Sequence, residues 1–269
     1  MGDIHINSFK SVQIEILAQN TKVLISLATG FLCNYKERIY LVTNWHVVAG
    51  KNSETKCLLH HSGAIPGFFN LKFQAGTDHT ESTLKPTTLA FQIPLYDKSD
   101  VRLWHEHPEY ASKIDVVVLD VTNNLPKDKL LENSISVISY DLIKEIEKNE
   151  LGVTDNVFII GYINLNRAPN NYPIYKSASI ASEPNIVDPE FPVFYVDGKT
   201  KSGMSGSPVV KKHGMKVTND NGGFRFTEGK VRLVGVYSGR EKQGTDEYEA
   251  ELGIVWKFNE SVLPILESI

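Results

Sequence analysis

The chain has little of what several protein classes require. Only two cysteines, Cys33 and Cys57, occur in 269 residues. That is too few for the bridge-dense framework of a small secreted domain, and isolated thiols of this kind most often fill space. No apolar run approaches the roughly 18 residues of a membrane span. Lys and Arg number 28 against 32 Asp and Glu, a net charge of −4, and no basic block is long enough for a nucleic-acid footprint. There is no repeat and no low-complexity linker. The first residues, MGDIHINSFKSVQIEIL, hold no uninterrupted apolar core of signal-peptide length, and Ile6 stands where a myristoylation motif wants Ser or Thr. We therefore expect a cytoplasmic protein that binds neither nucleic acid nor membrane.

What the chain does have is short β-forming runs. Residues 22–33, 38–45, 114–121, 155–163, 191–197, 207–210, 230–238 and 251–258 are rich in Val, Ile, Leu and aromatics, with polar or Gly/Pro/Asn clusters between them. Many short strands with such punctuation predict an all-β sandwich or barrel. Two helices are expected. Residues 139–151 place Leu142, Ile143 and Ile146 on one side with charge opposite, and a short terminal helix runs from Val262 to Ser268 with Ser261 as N-cap and Pro264 in its first turn. Residues 52–67 and 76–88 read as surface loops. Residues 216–230 read as a hairpin around Asn221-Gly222-Gly223.

Three segments carry chemistry. Residues 201–210 place Ser202, Ser205 and Ser207 among Gly203, Gly206 and Pro208. A serine hydroxyl becomes a nucleophile only with a base in reach, a group to hold that base, and donors for the oxyanion; otherwise the stretch is a polar turn. His46 follows the apolar run Ile39–Val42 and is either a base or a histidine buried at a strand end. Asp115 opens the run Val116-Val117-Val118-Leu119, as a strand cap or as a buried carboxylate that needs donors. Asp120 is its rival, on the opposite strand face by parity.

Taken in order, Thr43-Asn44-Trp45-His46-Val47, Asp115-Val116-Val117-Val118-Leu119 and Gly203-Met204-Ser205-Gly206-Ser207-Pro208 resemble the three motifs of the trypsin/chymotrypsin-like serine peptidases, the bacterial branch in particular. Ala28-Thr29-Gly30-Phe31, Asp155-Asn156-Val157 through Gly161-Tyr162, residues 234–239 and residues 253–258 follow in register, so the resemblance runs from about residue 20 to the end. It implies two Greek-key β-barrels with the active site in the cleft between them. The N-terminal barrel (1–135) carries His46 and Asp115, a helix (136–152) connects, and the C-terminal barrel (153–269) carries Ser205. Ser205 would attack the peptide carbonyl, His46 would relay the proton, and Asp115 would hold the imidazole. The N–H groups of Gly203 and Ser205 would form the oxyanion hole. The resemblance also places a substrate pocket at Lys199, Thr200, Ser202, Tyr237, Ser238, Gly239, Arg240 and Gly253.

The departures matter too. Met204 stands where digestive members carry the aspartate that receives a newly cleaved N-terminus, so that activation route is not expected and a regulatory protein partner is one alternative. Cys57 lies 11 residues past His46, so no bridge flanks the histidine. Lys199, Lys201 and Arg240 would favour an acidic side chain before the scissile bond if one pointed inward; otherwise they are solvated loop residues. Trp104-His105-Glu106-His107 offers two His on one strand face, but spacing supplies no third metal ligand, and neither metal nor cofactor is expected. The expectation is a serine endopeptidase acting on polypeptides. The alternative is a catalytically silent or partner-activated domain that binds peptides. An α/β-hydrolase esterase is disfavoured because the stretch lacks the second glycine of G-x-S-x-G and the His precedes the Ser.

Overall fold

Strand β1 (Ser11–Ala18) shows why this sequence folds as sheet. Val12, Ile14, Ile16 and Ala18 are buried while Gln13, Glu15 and Leu17 are half-buried, the period of two that gives a strand one inner face. The computed structural model describes residues 5–77, 85–126, 135–142, 151–163, 172–212, 216–220, 223–227, 231–240 and 252–269. In chain order there follow β2 (Leu24–Tyr35), β3 (Arg38–Thr43), β4 (Pro66–Thr77), β5 (Lys85–Pro94), β6 (Trp104–His105), β7 (Val117–Asp120), β8 (Ile135–Ser136) and β9 (Tyr140–Asp141). They form one nine-stranded sheet in the order β5-β4-β1-β2-β3-β7-β6, with β8 against β4 and β9 parallel to β2. The two edges meet beyond β5 and before β6, where Tyr96 bridges Arg102 and Leu103 N donates to Leu95 O at 2.9 Å.

The second half builds β10 (Asn156–Gly161), β11 (Ile174–Ile180), β12 (Val193–Asp197), β13 (Pro208–Lys212), β14 (Lys216–Asp220), β15 (Gly223–Thr227), β16 (Val231–Arg240) and β17 (Leu252–Lys257). Six of these close into a barrel, β10-β11-β12-β17-β16-β13. The protein is thus all-β. The expected hairpin is present as the β14–β15 pair; residues 221–222 of its turn lie outside the described residues.

Three strands of the first sheet serve two cores at once. Leu32, Leu41, Val117 and Leu119 point into the first sheet's own core. Their neighbours Phe31, Cys33, Tyr40, Val42, Val116 and Val118 point the other way and pack with Ile160, Val210, Trp256 and Phe258 of the second half. Alternation along a strand becomes a dry seam between the two halves when both faces are apolar. The continuous run Val116–Leu119 is the sequence trace of that double burial.

Several expectations change. Strands β1, β4, β5 and β11 were not anticipated, and Pro66–Gly67 and Lys85–Thr88, read as loop, are strand. Polar residues interrupt their apolar pattern, and Gln74 is buried with its amide donating to Thr88 Oγ1 at 2.9 Å. Tyr140–Asp141, expected to start the connecting helix, pair with Cys33–Asn34 instead, while residues 143–150 lie outside the described residues. The terminal helix begins earlier, as Phe258–Ser261 followed by Leu263–Glu267. Ser261 is no cap: its hydroxyl donates to Lys257 O at 2.6 Å inside the first of these turns. Among the described residues no helix is long and apolar enough to cross a membrane, and no disulfide joins Cys33 to Cys57.

The Trp104–His107 segment is structural. Only His105 lies on the strand. His107 is 6% exposed, and its Nδ1 accepts from Glu109 N and Tyr110 N at 3.3 and 3.2 Å. Burial pushes its imidazole pKa down, opposed by the backbone of Glu260 and the charge of Glu109. A base with a lowered folded pKa favours the native state while neutral, and that contribution is lost as pH falls below the ordinary value of 6.5. Urea titrations from pH 7 to pH 5 should therefore show falling stability, with a shallower pH slope in His107→Asn; an unchanged slope would refute the assignment.

Candidate active site

The site is built around one buried carboxylate. Asp115 is 2% exposed, just ahead of β7, and three donors converge on it. His46 N donates to Oδ1 at 2.8 Å, His46 Nδ1 meets Oδ2 at 2.7 Å, and the hydroxyl of Ser238 also donates to Oδ2. His46 sits in the one-turn helix Trp45–Ala49, which begins where β3 ends and which Gly50 stops at φ +64°. That short turn lets the backbone N–H and the ring of the same residue reach one carboxylate. With Nδ1 facing an acceptor, the tautomer that carries its proton there leaves Nε2 as the basic nitrogen.

Asn44 holds the other end of this arrangement. It is fully buried, and its Nδ2 donates to Asp115 O at 2.7 Å. Asp120, the rival, faces away and pairs with Arg38 at 2.6 Å.

Ser205 lies between Gly203 and Gly206, in a turn whose two glycines have φ +98° and +83°. A Cβ on Gly206 would stand 2.1 Å from Thr29 O, so both backbone shape and space exclude a side chain there. Ser205 Oγ donates to Ser238 O at 3.0 Å. Among the described residues, the N–H groups of Gly203 and Ser205 meet no protein acceptor. They are available to a ligand oxygen.

Thr29 of β2 clamps this turn from the other half of the molecule. Its N donates to Ser205 O at 2.9 Å and its hydroxyl donates to Gly203 O at 2.8 Å. The same hydroxyl accepts from Tyr162 N at 2.9 Å, and Thr43 Oγ1 donates to Thr29 O at 2.8 Å. Sequence reasoning met Thr29 and Asn44 only as parts of motifs. Their spacing carries no sign of these bonds, because every partner is remote in the chain or set by the turn's shape.

The structure brings His46, Asp115, Ser205, Gly203 and Ser238 together. Ser238, expected only in the pocket wall, contacts the site twice, through hydroxyl and carbonyl. Ser207 is fully buried, as a structural position. Met204 is fully buried in the core of the C-terminal barrel, with Val157, Ile159, Phe194 and Val209.

The pocket residues divide. Lys199 and Lys201 are exposed. Thr200 and Tyr237 are buried and share a hydroxyl–hydroxyl bond, and Arg240 reaches back to donate to Thr200 O. Burial pushes the Tyr237 phenol pKa up, against the opposing bonds from Thr200 and Arg240, so it stays protonated at neutral pH. Tyr237 packs on Gly253, where a Cβ would come within 2.8 Å of its ring. Gly239 opens onto space free of described atoms. His46, Ser202, Gly203 and Ser205 also line a cleft of about 240 Å³, together with Leu27, Val47, Leu59 and His60. Among the described residues no cluster of His, Cys, Asp and Glu could hold a metal ion.

The model of the trypsin-like peptidase domain matches residues 28–217 of the sequence. Among solved structures, the protease Anisep from Arthrobacter nicotinovorans aligns at a TM-score of 0.50 with 12% identity, over 92% of this chain and 89% of its own. The thermostable serine protease AL20 from an extremophilic microorganism aligns at 0.50 with 9% identity, over 98% of both chains. Rv3671c of M. tuberculosis, in an inactive form, aligns at 0.46 with 18% identity, over 97% of this chain and 87% of its own. No curated protein matches the sequence. At these identities the structural likeness is one of fold alone. The family match spans most of the chain, and this protein therefore belongs to the family of trypsin-like peptidase domains.

Proposed function

We propose that the protein is a serine endopeptidase in which Ser205 attacks a peptide carbonyl, His46 takes and returns the proton, and Asp115 orients the imidazole and stabilises its charged form. The observation that carries this reading is the convergence of His46 N, His46 Nδ1 and the Ser238 hydroxyl on buried Asp115, with Ser205 on the same cleft. A fixed carboxylate leaves Nε2 as the proton acceptor. Rotation of Ser205 about χ1 would move its proton from the Ser238 carbonyl towards that nitrogen. The tetrahedral oxyanion would be received by the N–H groups of Gly203 and Ser205. Collapse of the intermediate would release the amine, protonated by His46, and leave an acyl ester on Ser205 for water to hydrolyse.

Substrate choice in this reading rests on Arg240. Its guanidinium reaches inward to donate to Thr200 O, whereas Lys199 and Lys201 are exposed. Its remaining N–H groups can receive a carboxylate, so the side chain before the scissile bond would be Asp or Glu.

The second reading, a domain that binds peptides and awaits an activator, draws on the Ser205 hydroxyl being held by Ser238 O.

A fluorophosphonate probe separates the readings. Wild type should be labelled, and Ser205→Ala and His46→Ala should not. An unlabelled wild type supports the second reading, and equal labelling of Ser205→Ala refutes the nucleophile. Asp115→Asn should keep the fold and lower kcat by about 10⁴-fold, the size expected when the imidazole is held in the wrong tautomer. In a peptide library Glu and Asp should be enriched before the cut, and Arg240→Ala should lower kcat/KM for those peptides by roughly 10–100-fold, in line with a charge-assisted hydrogen bond. No enrichment for acidic residues removes the Arg240 proposal.

A further inference from the structure

We infer that the pocket at the end of β17, where Lys257 is buried, is a binding site for a carboxylate that carries an apolar tail. None of its described lining residues is shared with the Ser205 cleft. Such a site would serve whether or not the chain is a peptidase.

One cation sits in an unusual place. Lys257 is the last residue of β17 and is 5% exposed. A buried ammonium is costly unless charge and hydrogen bonds surround it, and it has three N–H groups to satisfy. Among the described residues its Nζ donates to one acceptor, Ile186 O, and meets no carboxylate in an ion pair. Burial pushes its pKa down, opposed only in part by the charge of Glu260. The group is short of negative charge.

The ammonium lines a cavity of about 140 Å³. Leu151, Pro184, Val187, Leu233 and Phe258 give that cavity apolar walls. Asn259 stands in the wall as well, exposed to solvent. One oxygen of an entering carboxylate can accept from the Lys257 N–H groups that Ile186 O does not use, and the other from the Asn259 amide. A tail then lies on the aliphatic walls and reaches the rim, where Ile186 is 70% and Val187 47% exposed. A bare inorganic anion would use the cation and leave those walls wet, so the pocket as a whole selects a carboxylate with an apolar body.

The site is formed before a ligand arrives. Residues 184–192 run over the end of β17, where Lys257 N donates to Pro192 O at 2.9 Å while its Nζ holds Ile186 O. Asn185 Nδ2 donates to Leu151 O at 3.0 Å, and Glu190 pairs with Lys113 at 2.8 Å. The ammonium is thus fixed in position, and little ordering cost remains for binding. Glu260 opposes an anion. It lines the same pocket, so its charge steadies the ammonium and repels an entering carboxylate.

The test is calorimetric titration of the full chain with hexanoate, N-acetyl-leucine, acetate, and the neutral hexanamide and N-acetyl-leucinamide. Hexanoate or N-acetyl-leucine should bind at least ~10-fold tighter than its own amide, the size of a charge-assisted hydrogen bond, and ~10-fold tighter than acetate, which has no tail. The tighter of the two acids tells a fatty acid from a peptide C-terminus as the source. Arg240→Ala should leave binding unchanged, which separates this pocket from the Ser205 site. Lys257→Met, an apolar replacement of similar length, should abolish binding. Two variants at the pocket wall keep the test decisive if Lys257→Met does not fold: Glu260→Gln should tighten binding several-fold, and Asn259→Asp should weaken it several-fold. Equal binding of acid and amide, binding that survives in Lys257→Met, or binding lost in Arg240→Ala overturns the inference. Absence of binding by both tailed acids overturns it as well.

Discussion

The rest of the site depends on burying the Asp115 carboxylate among its donors. A lone carboxylate in that environment would cost several kcal/mol, so its position is stable only while donors surround it. Two donors come from His46 in the first sheet and one from Ser238 in the second barrel. The carboxylate thus ties the two halves together at the point where their functional residues face each other. Asn44 adds a restraint through the Asp115 carbonyl, so both the side chain and the backbone of this residue are held.

The hydroxyl-bearing turn is fixed in a complementary way. Thr29 spends its N–H and its hydroxyl on the Ser205 turn and its carbonyl on Thr43. A turn with two positive-φ glycines has little conformational preference of its own. The clamp supplied by β2 determines where its N–H groups point. Among the described residues those groups meet no protein acceptor. Met204 secures the same turn from below. Its side chain lies in the core of the C-terminal barrel with Val157, Ile159, Phe194 and Val209.

The two sides of Ser205 differ in character. One is floored by Thr200 and Tyr237 and bears the Arg240 guanidinium. The other is lined by Ile25, Leu27, Val47 and Leu59 together with His46, His60, Ser26 and Ser202.

Much of the fold was legible in the sequence. The β-rich pattern came from Val/Ile/Leu runs with polar breaks, and the order of His46, Asp115 and Ser205 came from three short motifs. Strands β1, β4, β5 and β11 escaped because their polar alternation resembles loop when read without partners. At the site, the motifs pointed to Asp115, which lies against His46, while Asp120, of opposite parity, pairs with Arg38. Spacing along the chain could not show that Ser238 supports Asp115 across 123 positions, that Thr29 clamps the Ser205 turn, or that Arg240 reaches Thr200 O while Lys199 and Lys201 are exposed. A motif reports only local backbone shape and side-chain type. Hydrogen bonds between remote strands depend on register and on how two curved sheets meet along their apolar seam, and only the tertiary structure decides that.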